Sequence, residues 1–188
     1  MRAQSTQRFS PFGQAILVIF RAGSLKLYVA IPITARSRGA FTGAILVWLH
    51  YHPHWAETPD TDVKLACFCT SPAIRRPIAN LLSEAIGTFV LVFVVAAIFS
   101  KRASADGVVS PGLGPYLIGS LVWGIGLSLG GTTGYAINPA RDFGPRLTHA
   151  VLPISGKGGS DWNYAAVPLA GPVIGVTLAG LLTRARGL

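Results

Sequence analysis

The residues whose types and spacing could do chemistry stand close together in Gly134-Tyr135-Ala136-Ile137-Asn138-Pro139-Ala140-Arg141-Asp142-Phe143-Gly144-Pro145. Asn138 suits a helix N-cap, because its side-chain oxygen can accept an orphan backbone N–H of the first turn. Pro139 then falls at the first helical position, where its missing N–H costs nothing. Asp142 has the right sign for a first turn and precedes Arg146 by four residues, the favourable order for an ion pair. Arg141 breaks this local logic, since a cation near a helix N-terminus opposes the macrodipole. What an Asn amide and an Arg fork can do there is donate hydrogen bonds to neutral hydroxyls.

The elements that must position these groups are apolar. From Asn138 to about Pro153 only roughly ten to fifteen residues are available, which at ~1.5 Å each is about half of a ~30 Å hydrocarbon core. A half-length helix between two spanning segments reads as re-entrant, with its positive end near the bilayer midplane. Such backbone is tolerated only where it lines a cavity, and a helix N-terminus at that depth repels cations. The site would pass small uncharged polar molecules.

Gly134-Tyr135-Ala136-Ile137-Asn138-Pro139-Ala140-Arg141-Asp142, preceded by a Gly-rich helix, resembles the major intrinsic protein (aquaporin) family, specifically its aquaglyceroporin or glycerol-facilitator branch. The Asp after the Arg is what the glycerol branch usually carries. The resemblance covers roughly Gly39 to Arg184. It implies an all-α membrane protein, an incomplete aquaporin-like bundle of about four transmembrane helices and one re-entrant half-helix. It further implies a channel for passive diffusion of glycerol and similar small uncharged solutes, with a water channel or a non-conducting fragment as alternatives. No cofactor, a tetramer if complete, and a multi-pass place in the plasma membrane go with it. The pore residues carried over are Tyr135, Asn138, Pro139, Ala140, Arg141 and Asp142. Gly126 matches the small filter position that glycerol channels keep open, Tyr135 the aromatic wall, and the carbonyls of Gly134, Tyr135 and Ala136 the acceptor ladder. Thr132 stands where many members have Pro.

Composition agrees with a membrane protein: 51% of the residues are hydrophobic, 12% are charged and 22 are Gly. The net charge of +9 invites a nucleic-acid reading, but the bases are scattered between apolar runs and form no aromatic-interleaved patch. They are better read as topology. Arg36 and Arg38, Lys101 and Arg102, and Arg184 and Arg186 fall on alternate loops, which the positive-inside rule makes cytoplasmic. The loop around Asn138 then enters from outside, and the tail 185–188 is cytoplasmic.

Four segments are expected to span: 39–55, 80–99, 113–131 and 164–182. Gly39/Gly43, Gly126/Gly130 and Gly171/Gly175 each give a close-packing spacing. Trp48, Tyr51 and Trp55 suit an interfacial belt. Residues 56–79 read as a polar, Pro-rich loop whose Cys67 and Cys69 cannot easily bridge each other. His50, His52 and His54 alternate as metal ligands could, yet they lie at a helix exit broken by Pro53 with no fourth ligand evident. His149, in the return loop 148–163, is expected to face solvent or the interface. Glu84 is the one acid of its segment and must be paired. A proton relay and a structural acceptor both fit, the pairing argument favours the acceptor, and the resemblance makes it the acceptor for the re-entrant loop backbone. No enzyme constellation is present: the histidines cluster away from the acids, and no phosphate-cradling glycine motif follows a strand.

Residues 1–38 carry six bases and no acid, and their apolar runs, Phe12–Phe20 and Leu27–Thr34, are too short to span. An intact family member would place two spanning helices and a first Asn-Pro-Ala half-helix before Gly39. The expectation is therefore a chain truncated or altered before about residue 39, one that leaves Asn138, Arg141 and Glu84 open to lipid on the uncovered side. Reading the upstream DNA in all frames tests this, and finding no family-like coding there would refute it.

Overall fold

The computed structural model describes residues 33–100 and 112–187; the connector bases Lys101 and Arg102 and the apolar runs before residue 33 lie outside them. The described residues form seven helices: α1 Ile33–His50, α2 His54–Glu57, α3 Thr61–Ala66, α4 Pro77–Ile98, α5 Gly114–Thr133, α6 Pro139–Val151 and α7 Ala166–Arg186. α4 packs most extensively on α7, α1 lies on α6, and α5 leans on α4.

Two helices, α4 with 22 residues and α7 with 21, are long and apolar enough to cross a membrane. α1 and α5 have the length, at 18 and 20 residues, but fall short in hydropathy among the four segments expected to span. The reason differs in each. Arg36 and Arg38 sit inside α1, which begins at Ile33 rather than Gly39, and glycines dilute α5. α7 runs on through Arg186, so the basic residues read as a tail are its last turn.

α4 starts where Pro77 occupies the first turn. Asn80 supplies the cap that Arg76 cannot: its Oδ1 accepts from the Arg76 N–H at 3.2 Å and its Nδ2 donates to the Ile74 carbonyl at 3.1 Å. α7 then presses onto α4 through two glycines. A Cβ on Gly171 would stand 2.5 Å from the Glu84 Cβ, and one on Gly175 would meet the Ala85 carbonyl oxygen and, at 2.8 Å, the Thr88 Cβ. The two backbones touch there because neither position carries a side chain.

The segment 56–79 is more ordered than its polarity implied. Asp60 caps α3 by accepting from the N–H groups of Asp62 and Val63 at 2.8 and 3.3 Å. Trp55 is packed inside the protein rather than turned outward. It is 5% exposed, packs with Ala44, Phe68 and Ile154, and donates from Nε1 to the Trp48 carbonyl at 2.9 Å. The His50, His52 and His54 rings each lie edge-on to Trp48 or Tyr51. Cys67 and Cys69 are free thiols, both pushed up by burial.

The α4–α7 contact gives a test. Gly175→Val forces a branched side chain into backbone and should destabilise the chain by about 2 kcal/mol or more in detergent unfolding. Gly180→Ala, with nothing within 4 Å, should not destabilise. Equal effects would show that the close approach is not the reason for Gly175.

Candidate functional site

Gly134 ends α5 in a left-handed conformation at φ 77°, with its N–H returning to the Gly130 carbonyl at 2.9 Å. The chain then takes two turns that side chains disfavour, Tyr135 at φ 43° and Ile137 at φ 42°. Glu84 holds them. It is 1% exposed, its Oε1 accepts from Thr133 Oγ1 at 2.6 Å and the Ala136 N–H at 3.0 Å, and its Oε2 accepts from the Ile137 N–H at 2.8 Å. Three protein donors converge on one carboxylate, which is the geometry of an acceptor rather than of a relay.

With the N–H groups of 136 and 137 turned toward Glu84, the carbonyls of Gly134 and Tyr135 are turned to Arg141, whose Nη1 donates to both. The guanidinium carbon lies over the Tyr135 ring, 4.6 Å from its centroid. Gly126 lies beside that ring: a Cβ there would be 3.0 Å from Tyr135 Cζ. Ala136 is fully buried, at 0% exposure.

Asn138 is the N-cap of α6, in extended backbone, and its Oδ1 accepts from the Ala140 N–H at 3.0 Å. Pro139 follows in the first turn, and Ala140 is buried. The 13-residue α6 is about 20 Å long, too short to cross a ~30 Å hydrocarbon core.

Asp142 and Arg146 form the expected ion pair, and both are completely buried. Asp142 Oδ1 accepts from Arg146 Nε at 2.7 Å; Oδ2 accepts from Arg146 Nη2 at 2.9 Å and from the N–H and Oγ1 of Thr70 at 2.9 and 2.7 Å. The rest of the Arg146 fork donates to the carbonyls of Thr70, Ser160 and Asp161, at 2.8 to 2.9 Å. Such a pair gains little over an apolar isostere, but removing one partner leaves a buried charge and costs about 3–5 kcal/mol. Arg146 thus ties the two connecting segments to α6. Sequence reasoning saw its spacing from Asp142 and missed Thr70 and Thr133, because no local pattern marks a partner 49 to 72 residues away.

Two expectations are overturned. His149 is not at a surface: it is 0% exposed, with Nδ1 2.9 Å from Ser160 Oγ and its ring edge-on to Phe68. α6 continues through His149 to Val151 and the return segment folds across it, its Lys157 Nζ donating to the carbonyls of His149, Ala150 and Leu152 at 2.6 to 2.8 Å. Nor are Glu84 and Arg141 left open. They are 1% and 8% exposed, because the loop 134–137 folds over both; Asn138 is half-buried.

Glu84→Gln replaces one acceptor by a donor facing a backbone N–H. It should speed amide exchange at Ala136 and Ile137 by roughly thirtyfold, the equivalent of about 2 kcal/mol. Unchanged exchange would show that the loop holds itself.

The family profile described as Major intrinsic protein matches residues 15–183, beginning upstream of Gly39. A probable glycerol uptake facilitator protein of Thermotoga maritima is 62% identical over 144 residues, 77% of this chain and 59% of that protein. The glycerol uptake facilitator protein of Bacillus subtilis is 50% identical over 157 residues, 84% of this chain and 55% of that protein. The chain thus spans less than three-fifths of the length of these two relatives. The solved aquaglyceroporin of Plasmodium falciparum superposes with a TM-score of 0.67 at 24% identity, covering 90% of this chain and 69% of that one, which establishes a shared fold. An aquaporin-like helical arrangement, the Asn138-to-Asp142 motif at the head of a half-length helix, and a profile match over most of the sequence agree: this chain belongs to the major intrinsic protein family.

Proposed function

We propose that these residues form one half of a passive pore for glycerol and similar small uncharged polyols, with water as the alternative solute. One observation carries the reading: Arg141 is held by two loop carbonyls over the Tyr135 ring, at the N-terminus of a capped half-helix. A guanidinium offers donors only, so a solute meeting it must bring acceptor oxygens. The Tyr135 ring offers a carbon face to the other side of the same molecule. A polyol has both faces, whereas a cation meets Arg141 and the positive end of α6. The wider set, Gly126, Gly134, Ala136, Asn138, Pro139 and Ala140, shapes this passage. Asp142, buried against Arg146 and Thr70, supports it from behind, and Glu84 supports the loop.

The family pore is an inverted repeat in which two half-helices meet N-terminus to N-terminus at the midplane. The described residues supply one such half-helix, so the complete pore needs a complementary half. Family membership makes the chain a membrane protein. Arg36 and Arg38 near the start of α1 and Arg184 and Arg186 at the end of α7 support a cytoplasmic C-terminus by the positive-inside rule. A tetramer in the plasma membrane is the assembly we propose by analogy with the family.

The 188-residue chain reconstituted by itself in liposomes should give no glycerol flux above empty vesicles. Co-reconstituted with the first half of the Thermotoga maritima relative, it should give glycerol uptake that Arg141→Ala alters, and Gly126→Phe should block glycerol more than water. Robust uptake by the chain alone would overturn the half-pore reading; equal loss of both fluxes in Gly126→Phe would overturn the filter assignment.

A further inference from the structure

Gly126 and Gly130 have a helix-packing spacing, yet what both meet is the Tyr135 ring. A Cβ on Gly126 would stand 3.0 Å from Cζ and 3.2 Å from Oη of that ring. One on Gly130 would stand 2.7 Å from Cδ1 and 3.1 Å from Cε1. Carbon atoms in ordinary contact lie about 3.5–4.0 Å apart, so the tighter constraint is at Gly130. A clash of this kind is relieved if the neighbour can give. Tyr135 has little freedom to do so: its backbone is at φ 43°, its carbonyl accepts from Arg141, and the next N–H is bound to Glu84. The ring must therefore turn on its own side-chain bonds, and Arg141 sits over it.

We propose that Gly130 is a specificity-determining positioning residue: its missing side chain lets the Tyr135 ring lie against α5 at the depth that places Arg141 over it. Any side chain at 130 pushes the ring off the helix and narrows the way for a polyol before it narrows the way for water. This deepens the proposed function and rests on it, with Gly130 acting through Tyr135 rather than by touching solute.

A double-mutant cycle on the full 188-residue chain in detergent tests the positioning. Ala is favoured over Gly inside a helix, yet Gly130→Ala should lower the Tm by about 3 °C or more. In a Tyr135→Ala background it should lower it no further, and Gly124→Ala, with nothing within 4 Å, should not lower it at all. An equal loss with and without the ring overturns the inference. Specificity is read in the pore completed with the relative's first half, where Gly130→Ala should reduce the glycerol-to-water flux ratio roughly tenfold while Gly124→Ala leaves it unchanged. An unchanged ratio in Gly130→Ala removes the specificity role. A completed pore that passes no glycerol in any variant removes the proposed function and the specificity role with it, while the Tm cycle still decides whether Gly130 positions the ring.

Discussion

The Glu84 carboxylate is the constraint on which the site depends. Tyr135 and Ile137 occupy left-handed backbone, a conformation that costs on the order of 1–3 kcal/mol at each residue. Against that stand the three hydrogen bonds to Glu84, each charge-assisted and of order 1.5–3 kcal/mol. The hydrogen bonds together, about 4.5–9 kcal/mol, outweigh the strain of about 2–6 kcal/mol. A neutral acceptor, worth about half as much per bond, would no more than balance the strain of the two turns. The same donors remove the charge's isolation, so a carboxylate in the middle of an apolar helix becomes a structural asset.

Placing Glu84 is in turn the task of α7. Gly171 brings the α7 backbone against the Glu84 Cβ, and Gly175 repeats the contact one turn on. The most extensive helix–helix interface in the described chain thus lies directly behind the acceptor. The Tyr135 carbonyl turned toward Arg141 is a consequence of the same bonds, because in a trans peptide unit it points away from the Ala136 N–H that Glu84 holds. Arg141 loses its apparent misfit here: a cation opposed by the helix dipole is stabilised by two carbonyl dipoles and an aromatic face.

The half-helix α6 is held at both ends and along its length by different chemistry. Asn138 serves the Ala140 N–H, and Lys157 serves the last carbonyls. Between them Asp142 and Arg146 bind segments from 70 and from 160–161, fixing the connecting segments to the helix that carries the site. A short helix of 13 residues would be marginal alone; here cap, counter-cap and buried ion pair act together.

What the sequence by itself determined was whatever depends on neighbours within a turn or on composition summed over a span. The Asn138 cap reaches only to Ala140, the Asp142–Arg146 pair only one turn, and the apolar length of α4 is a property of the segment alone. Chain contiguity makes such relations readable. Tertiary structure decided the rest: that Trp55 and His149 are buried, that Thr70 answers Asp142, that a polar segment folds into α2 and α3, and that Gly126 and Gly130 meet a ring rather than another helix. Composition could not decide these, because each depends on which face a residue turns and on what distant backbone arrives there, and a polar or aromatic side chain is equally at home in water or in a satisfied interior.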